Sequence, residues 1–93
     1  MTSQKGLPKE LIGAEVVLDT NGQYLYIGVL VSVNEQFFTL EEADVHDRNE
    51  SSTPKEIYIM DARKYGIKKN RRKVHVLASQ VISLSKLEDV LEY

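Results

Sequence analysis

The sequence predicts a mainly β fold: five short strands forming a strongly bent open barrel, with a short N-terminal helix and a second helix inserted between strands three and four. Three observations carry this. Runs rich in β-branched residues recur between turn signals. Gly28 interrupts the longest run, where a bend or bulge suits barrel closure. Only Ala78-Ser79-Gln80, a tight turn, separates the last two runs.

The elements follow in order. Pro8 to Ile12 reads as the short helix, with proline at its first position and Gly13 as its stop. Glu15 to Asp19 is the first strand. Asn21-Gly22 is a strong hairpin signal, and Tyr24 to Val33 is the long second strand. Asn34-Glu35-Gln36 is a polar turn. Phe37 to Leu40 opens the third strand, which runs on towards Val45, and residues 46–53 form a polar loop.

Thr53-Pro54-Lys55-Glu56 then has capping-box spacing, with Thr53 as N-cap and Pro54 at the first helical position. A helix over 54–65 follows, with Ile57, Met60 and Lys64 or Tyr65 on one face and Gly66 ending it. A strand is the competing reading, because Ile57, Tyr58 and Ile59 favour extended backbone. Residues 67–73 form a basic connector. Val74 to Leu77 and Val81 to Leu84 are strands four and five, and a helical turn is expected within 86–92.

Ninety-three residues are enough for one domain, 1–93, with a modest core that gains from any partner subunit. Without cysteine there is no disulfide framework and no thiolate chemistry, which fits a reducing compartment. The longest apolar run is too short to cross a bilayer, and the first five residues do not open a secretory signal. A cytoplasmic protein without membrane partners is expected. Gly-x-Ser-x-Gly, P-loop and recognisable acid/base pairings are lacking, so no enzyme and no cofactor are expected.

Charge is unevenly distributed. Net charge is −2, yet residues 62–74 hold Arg63, Lys64, Lys68, Lys69, Arg71, Arg72 and Lys73 with no acid. Seven cations there are able to grip phosphates in a salt-dependent way, with Tyr65 and His75 flanking them as stacking residues. The reading preferred on charge alone is a solvated loop that balances acids of its own or a neighbouring subunit. Phe37 and Phe38 pose a similar choice. One faces outward and is able to stack on a base or a partner; the alternative is one core residue and one residue at a subunit interface. His46, Asp47 and Asp44 lack zinc-site spacing and are read as loop polarity beside a strand end.

Over residues 7–45 and 73–87 the order of elements resembles the Sm-like family, which includes LSm and Hfq proteins. The strand pair around Asn21-Gly22, the step Gly28-Val29-Leu30, and Asn34 in place of the usual aspartate match its first motif. Val74-His75-Val76-Leu77 and Val81-Ile82-Ser83-Leu84 match the second. The resemblance implies pairing of strands four and five between subunits, hence a homo-oligomer. It also shows departures. The family's RNA-pocket asparagine falls at Phe37 or Phe38, its Arg-Gly pair falls on Leu77-Ala78, and the turn after strand two is one residue shorter. The resulting expectation is a non-catalytic assembly or protein-interaction module that has lost the usual RNA pocket. The alternative is an RNA-binding protein using residues 63–73. The inserted helix has its own alternative role, covering a sheet edge and keeping the protein small.

Overall fold

The structure is a computed structural model that describes residues 6–49 and 53–91. Residues 1–5, read as no secretory signal, 50–52, the middle of the expected polar loop, and 92–93, where the expected last helical turn ends, lie outside the described residues. Five strands form one antiparallel sheet: β1 (Glu15–Thr20), β2 (Tyr24–Val33), β3 (Phe37–Asp47), β4 (Arg71–Leu77) and β5 (Val81–Lys86). Their spatial order is β4-β3-β2-β1-β5, so β4 and β5 are the two edges. One helix, α1 (Lys55–Tyr65), joins β3 to β4.

Strand alternation sends side chains to two faces, and each face has its own core. On the first face Val16, Leu18, Leu30, Val33, Phe38, Leu40, Ala43 and Val76 pack together. Leu7, Leu11 and Ala14 from the N-terminal segment pack against them. On the second face Val17, Leu25 and Ile27 meet Ile59 and Ala62 of α1 and Leu87, which follows β5. The helix therefore covers a face of the sheet and packs beside the turn that follows β5.

The bend at Gly28 is a bulge. The β2–β3 register shifts between Ile27 and Val29, which pair with Asp44 and Glu41. Glu42, one of the two β3 residues that oppose Gly28, has φ of 49°, a left-handed value uncommon outside glycine. A second shift between Leu30 and Ser32 bends β2 again. Both long strands are thereby able to curl around the first core.

Several expectations need correction. The N-terminal helix is only a 3₁₀ turn over Lys9–Leu11, because Gly13 (φ 96°) turns the chain back and donates to the Leu30 carbonyl at 2.7 Å. Asn21-Gly22 does close the hairpin, but within a three-residue connection and without a left-handed residue. The N-cap residue of α1 is Pro54 rather than Thr53, and it makes no side-chain cap hydrogen bond. The buried stripe of α1 is Ile59 and Ala62, while Ile57 and Tyr65 are exposed. Gly66 ends the helix as expected, at φ 95° with its N–H on the Ala62 carbonyl. β4 begins at Arg71 rather than Val74, so the last three residues of the basic run are strand. The tail is a 3₁₀ turn over Leu87–Asp89.

Candidate functional site

Two turns meet at one end of the sheet. In the β2–β3 turn the Asn34 side-chain oxygen accepts from the Gln36 and Phe37 N–H groups, each at 2.8 Å. The Asn34 N–H donates to the Phe37 carbonyl at 3.0 Å. This Asx turn folds the tip tightly and explains an asparagine there. Ala78, opening the 3₁₀ turn Ala78–Gln80 between β4 and β5, donates its N–H to the Gln36 carbonyl at 2.8 Å. The two turns are thus joined through backbone.

Between them lies a shallow depression of about 320 Å³ lined by Glu35, Gln36, Phe37, Leu77 and Ser79. Phe37 and Leu77 are cross-strand partners. Phe37 also meets the edge of the His75 ring, with centroids 6.0 Å apart. The His75 Nδ1 is 2.9 Å from the Thr39 hydroxyl, which fixes the imidazole. Phe38 turns the other way into the first core. The two phenylalanines therefore divide, one buried and one at the depression. Its walls are apolar, and Gln36, Ser79 and Glu35 supply its polar side chains.

The seven basic residues are carried by three segments: the end of α1, the connector and the start of β4. Arg63 and Lys64 end α1, where the helix dipole favours cations, and the Arg63 Nε lies 3.4 Å from the Glu88 carbonyl. Lys68 lines a cavity beside α1. Lys69 pairs with Glu42 and Lys73 with Glu41, each at 3.5 Å. Arg71 donates to the carbonyl of its neighbour Asn70 at 2.9 Å, and Arg72 is exposed. Along β4, Arg72 alternates with Arg71 and Lys73, so adjacent cations diverge. Lys73, His75 and Leu77 lie across from Glu41, Thr39 and Phe37, forming one row that leads to the depression.

The sheet edges are the second feature. Among the described residues β4 pairs as a strand with β3 alone, and β5 with β1 alone. Both carry exposed apolar side chains: Leu77 is 47% exposed and Ile82 65%. Natural sheets rarely leave such edges unprotected unless something pairs with them.

Sequence reasoning missed the group between β3 and α1. Tyr58 stacks on His46 with ring centroids 3.8 Å apart and donates its hydroxyl to Asp44 at 2.5 Å. Burial first, and then the Asp44 hydrogen bond, push the Tyr58 hydroxyl well above its ordinary range. The Asn70 side chain donates to Asp44 and to the Val45 carbonyl, and accepts from the Val45 N–H. Asn70 thereby extends the β3 ladder by imitating a strand residue. Asp44, His46, Tyr58, Asp61, Tyr65 and Lys68 line much of a cavity of about 200 Å³ there. Its signal in the sequence was faint: a tyrosine inside an amphipathic helix and an asparagine inside a basic run. Asp47 is used locally, accepting from the Gln23 side chain and the Asn49 N–H. Among the described residues, no three of His, Asp and Glu gather as metal ligands, and no helix is long and apolar enough to cross a membrane.

No family model matches the sequence, and no curated protein matches it. Solved structures do. One is an Sm protein of Pyrococcus abyssii in complex with a uridine heptamer, at 12% identity and TM-score 0.60 over 91% of this chain and 99% of that one. Another is the SmAP1 heptamer of P. aerophilum, at 15% identity and TM-score 0.54 over 92% and 95%. At such identities the likeness establishes architecture. Five antiparallel strands in one bent sheet, spanning nearly the whole of both neighbours, give this chain the Sm-like fold.

Proposed function

We propose that this chain is a non-catalytic binding module, cytoplasmic and built as a single Sm-like domain, that assembles with copies of itself through β4 and β5. The observation that carries this reading is the pair of open edges, each with a large exposed apolar side chain. The Sm-like neighbour from P. aerophilum is a heptamer, which supports the same direction. We further propose that the depression between the turns takes a protein side chain or a neighbouring subunit in place of the family's usual RNA base. Phe37 and Leu77 present hydrocarbon there, and Phe38 is withdrawn into the core.

The test is mass in solution by light scattering, before and after nuclease treatment. A defined oligomer of unchanged mass is expected, and Ile82→Glu is expected to shift it towards monomer by setting a charge into the joint. A strictly monomeric wild type at micromolar concentration overturns the reading.

A second reading rests on the row Lys73, His75 and Leu77 beside Phe37. It makes the chain an RNA-binding protein gripping phosphates through Arg63, Lys64, Lys68, Lys69, Arg71, Arg72 and Lys73, with Phe37 stacking a base. The P. abyssii neighbour, in complex with a uridine heptamer, supports it. Against it stand Glu41 and Glu42, which neutralise Lys73 and Lys69. Nuclease-sensitive mass, or RNA binding in low salt that charge reversal at Arg71 and Arg72 weakens, would favour this second reading.

A further inference from the structure

We propose that the acidic turn after β5 in one copy lies alongside the basic start of β4 in the next, with Glu88 and Asp89 facing Arg71 and Arg72. This rests on the assembly reading above and adds to it the feature that sets the direction and register of the joint.

The charges are unmatched among the described residues. Lys69 and Lys73 already have Glu42 and Glu41. Arg71 and Arg72 have no acidic partner among the described residues, and Glu88 and Asp89 have no basic side-chain partner among them. All four are exposed. The acidic turn is held in place, because Leu87 is buried beside α1 and the Arg63 Nε reaches the Glu88 carbonyl. Glu88 and Asp89 are thereby fixed at the end of an edge strand while their carboxylates remain in water.

Direction follows from chain polarity. Every pairing in the sheet is antiparallel. If β5 of one copy joins β4 of the next in the same sense, the end of β5 lies beside the start of β4. The two arginines then meet the two acids. A parallel joint would place the arginines beside Val81 and leave both charge pairs unmatched.

Register follows from the faces. Val74 and Val76 lie across from Leu40 and Phe38, on the first-core side, and Leu84 packs against that same core. A slip of one residue would reverse the faces, so registers differ in steps of two. Placing Val74 opposite Leu84 sets Arg72 against Lys86, a like-charge contact that destabilises the pairing. Placing Val76 opposite Leu84 sets Lys86 against Val74 and brings the Leu87–Asp89 turn, with Glu88 and Asp89, alongside Arg71 and Arg72. Lys86 therefore disfavours the first register and the acids favour the second. Exposed ion pairs contribute little affinity singly. Their larger effect is to select among otherwise similar apolar edge contacts.

The test uses three full-length variants with the wild type, all nuclease-treated: Arg71→Glu with Arg72→Glu, Glu88→Lys with Asp89→Lys, and all four together. Each double reversal sets like charges across the joint and is expected to raise the concentration for half-assembly by roughly tenfold. The four-substitution chain restores opposite charges and is expected to assemble like the wild type. Thermal unfolding of the variants checks that each still folds. If the four-substitution chain assembles no better than the doubles, the inference fails. It fails too if both doubles assemble like the wild type while Ile82→Glu does not; the assembly reading then survives alone. A monomeric wild type removes the assembly reading itself.

Discussion

Gly28 on β2 and Ala43 on β3 touch so closely that a side chain at position 28 would meet Ala43. A Cβ there would lie 2.9 Å from the Ala43 Cβ, 3.1 Å from its Cα and 3.1 Å from the Glu41 carbonyl oxygen. Two of those three contacts are backbone, so no side-chain rotation relieves them. The contact lies at the bulge that bends both long strands. Gly28→Ala is expected to destabilise the fold by about 1–3 kcal/mol, the usual effect of forcing a methyl group into a filled space. Denaturant midpoints at unchanged slope would register it. Stability equal to wild type would mean that the bulge relaxes freely.

Tyr58 links α1 to β3, and its proton makes that link pH-dependent. Its pKa is raised above the ordinary value of 10.0 by burial and by Asp44. The folded state thus holds the proton more tightly than the unfolded chain. The stability contributed is fully present below the unfolded pKa and is lost as pH rises beyond it. Tyr58→Phe is expected to cost about 1–2 kcal/mol near neutral pH, through loss of a hydrogen bond to a carboxylate. The variant is also expected to show a shallower alkaline fall in stability than wild type. Parallel denaturation series from neutral to strongly alkaline pH would compare the two slopes.

Asn34 holds the β2–β3 turn by accepting two backbone N–H groups. Asn34→Ala leaves both to water and is expected to cost about 0.5–2 kcal/mol, in the range of lost side-chain caps. Asn34→Asp keeps the acceptor and is expected to retain wild-type stability. Hydrogen exchange should report faster exchange at Gln36 and Phe37 in the alanine variant alone.

The proposed joint also predicts a covalent bond. With Val76 opposite Leu84, His75 lies opposite Ser85 in the next copy, and both are exposed. The chain has no cysteine of its own. A chain carrying His75→Cys and Ser85→Cys is expected to form reducible intermolecular crosslinks under mild oxidation. His75→Cys with Ser83→Cys, matched to the alternative register, is expected to crosslink much less. Non-reducing gel electrophoresis would rank the two.

The strands were legible because their signals were local. β2 begins and ends where its apolar run does, and Gly28 marked the bend before any partner strand was known. The helix was legible as a helix but not in orientation. Ile57 and Tyr65 look like core residues by hydrophobicity, yet the face against Val17, Leu25 and Ile27 is set by where the chain leaves β3. Ile59 and Ala62 point that way, and no residue inside α1 records it. The split of Phe37 from Phe38 was predictable from alternation, but which one turned inward depended on the register with Val33. Asn70 was invisible as a strand mimic because its partners, Asp44 and Val45, lie far away in sequence. The basic run reads along the chain as one segment, whereas in the fold its residues belong to the end of α1, the connector and β4.

The seat of α1 has a consequence for how such a protein can change over time. The connection from Asp47 to Arg71 leaves from the middle strand of a three-strand neighbourhood and spends its apolar surface on the back of β1 and β2. Through Leu87 and the Glu88 carbonyl the same helix also steadies the turn that closes edge strand β5. A change that shifts the end of α1 would therefore be felt at that rim as well as on the face it covers.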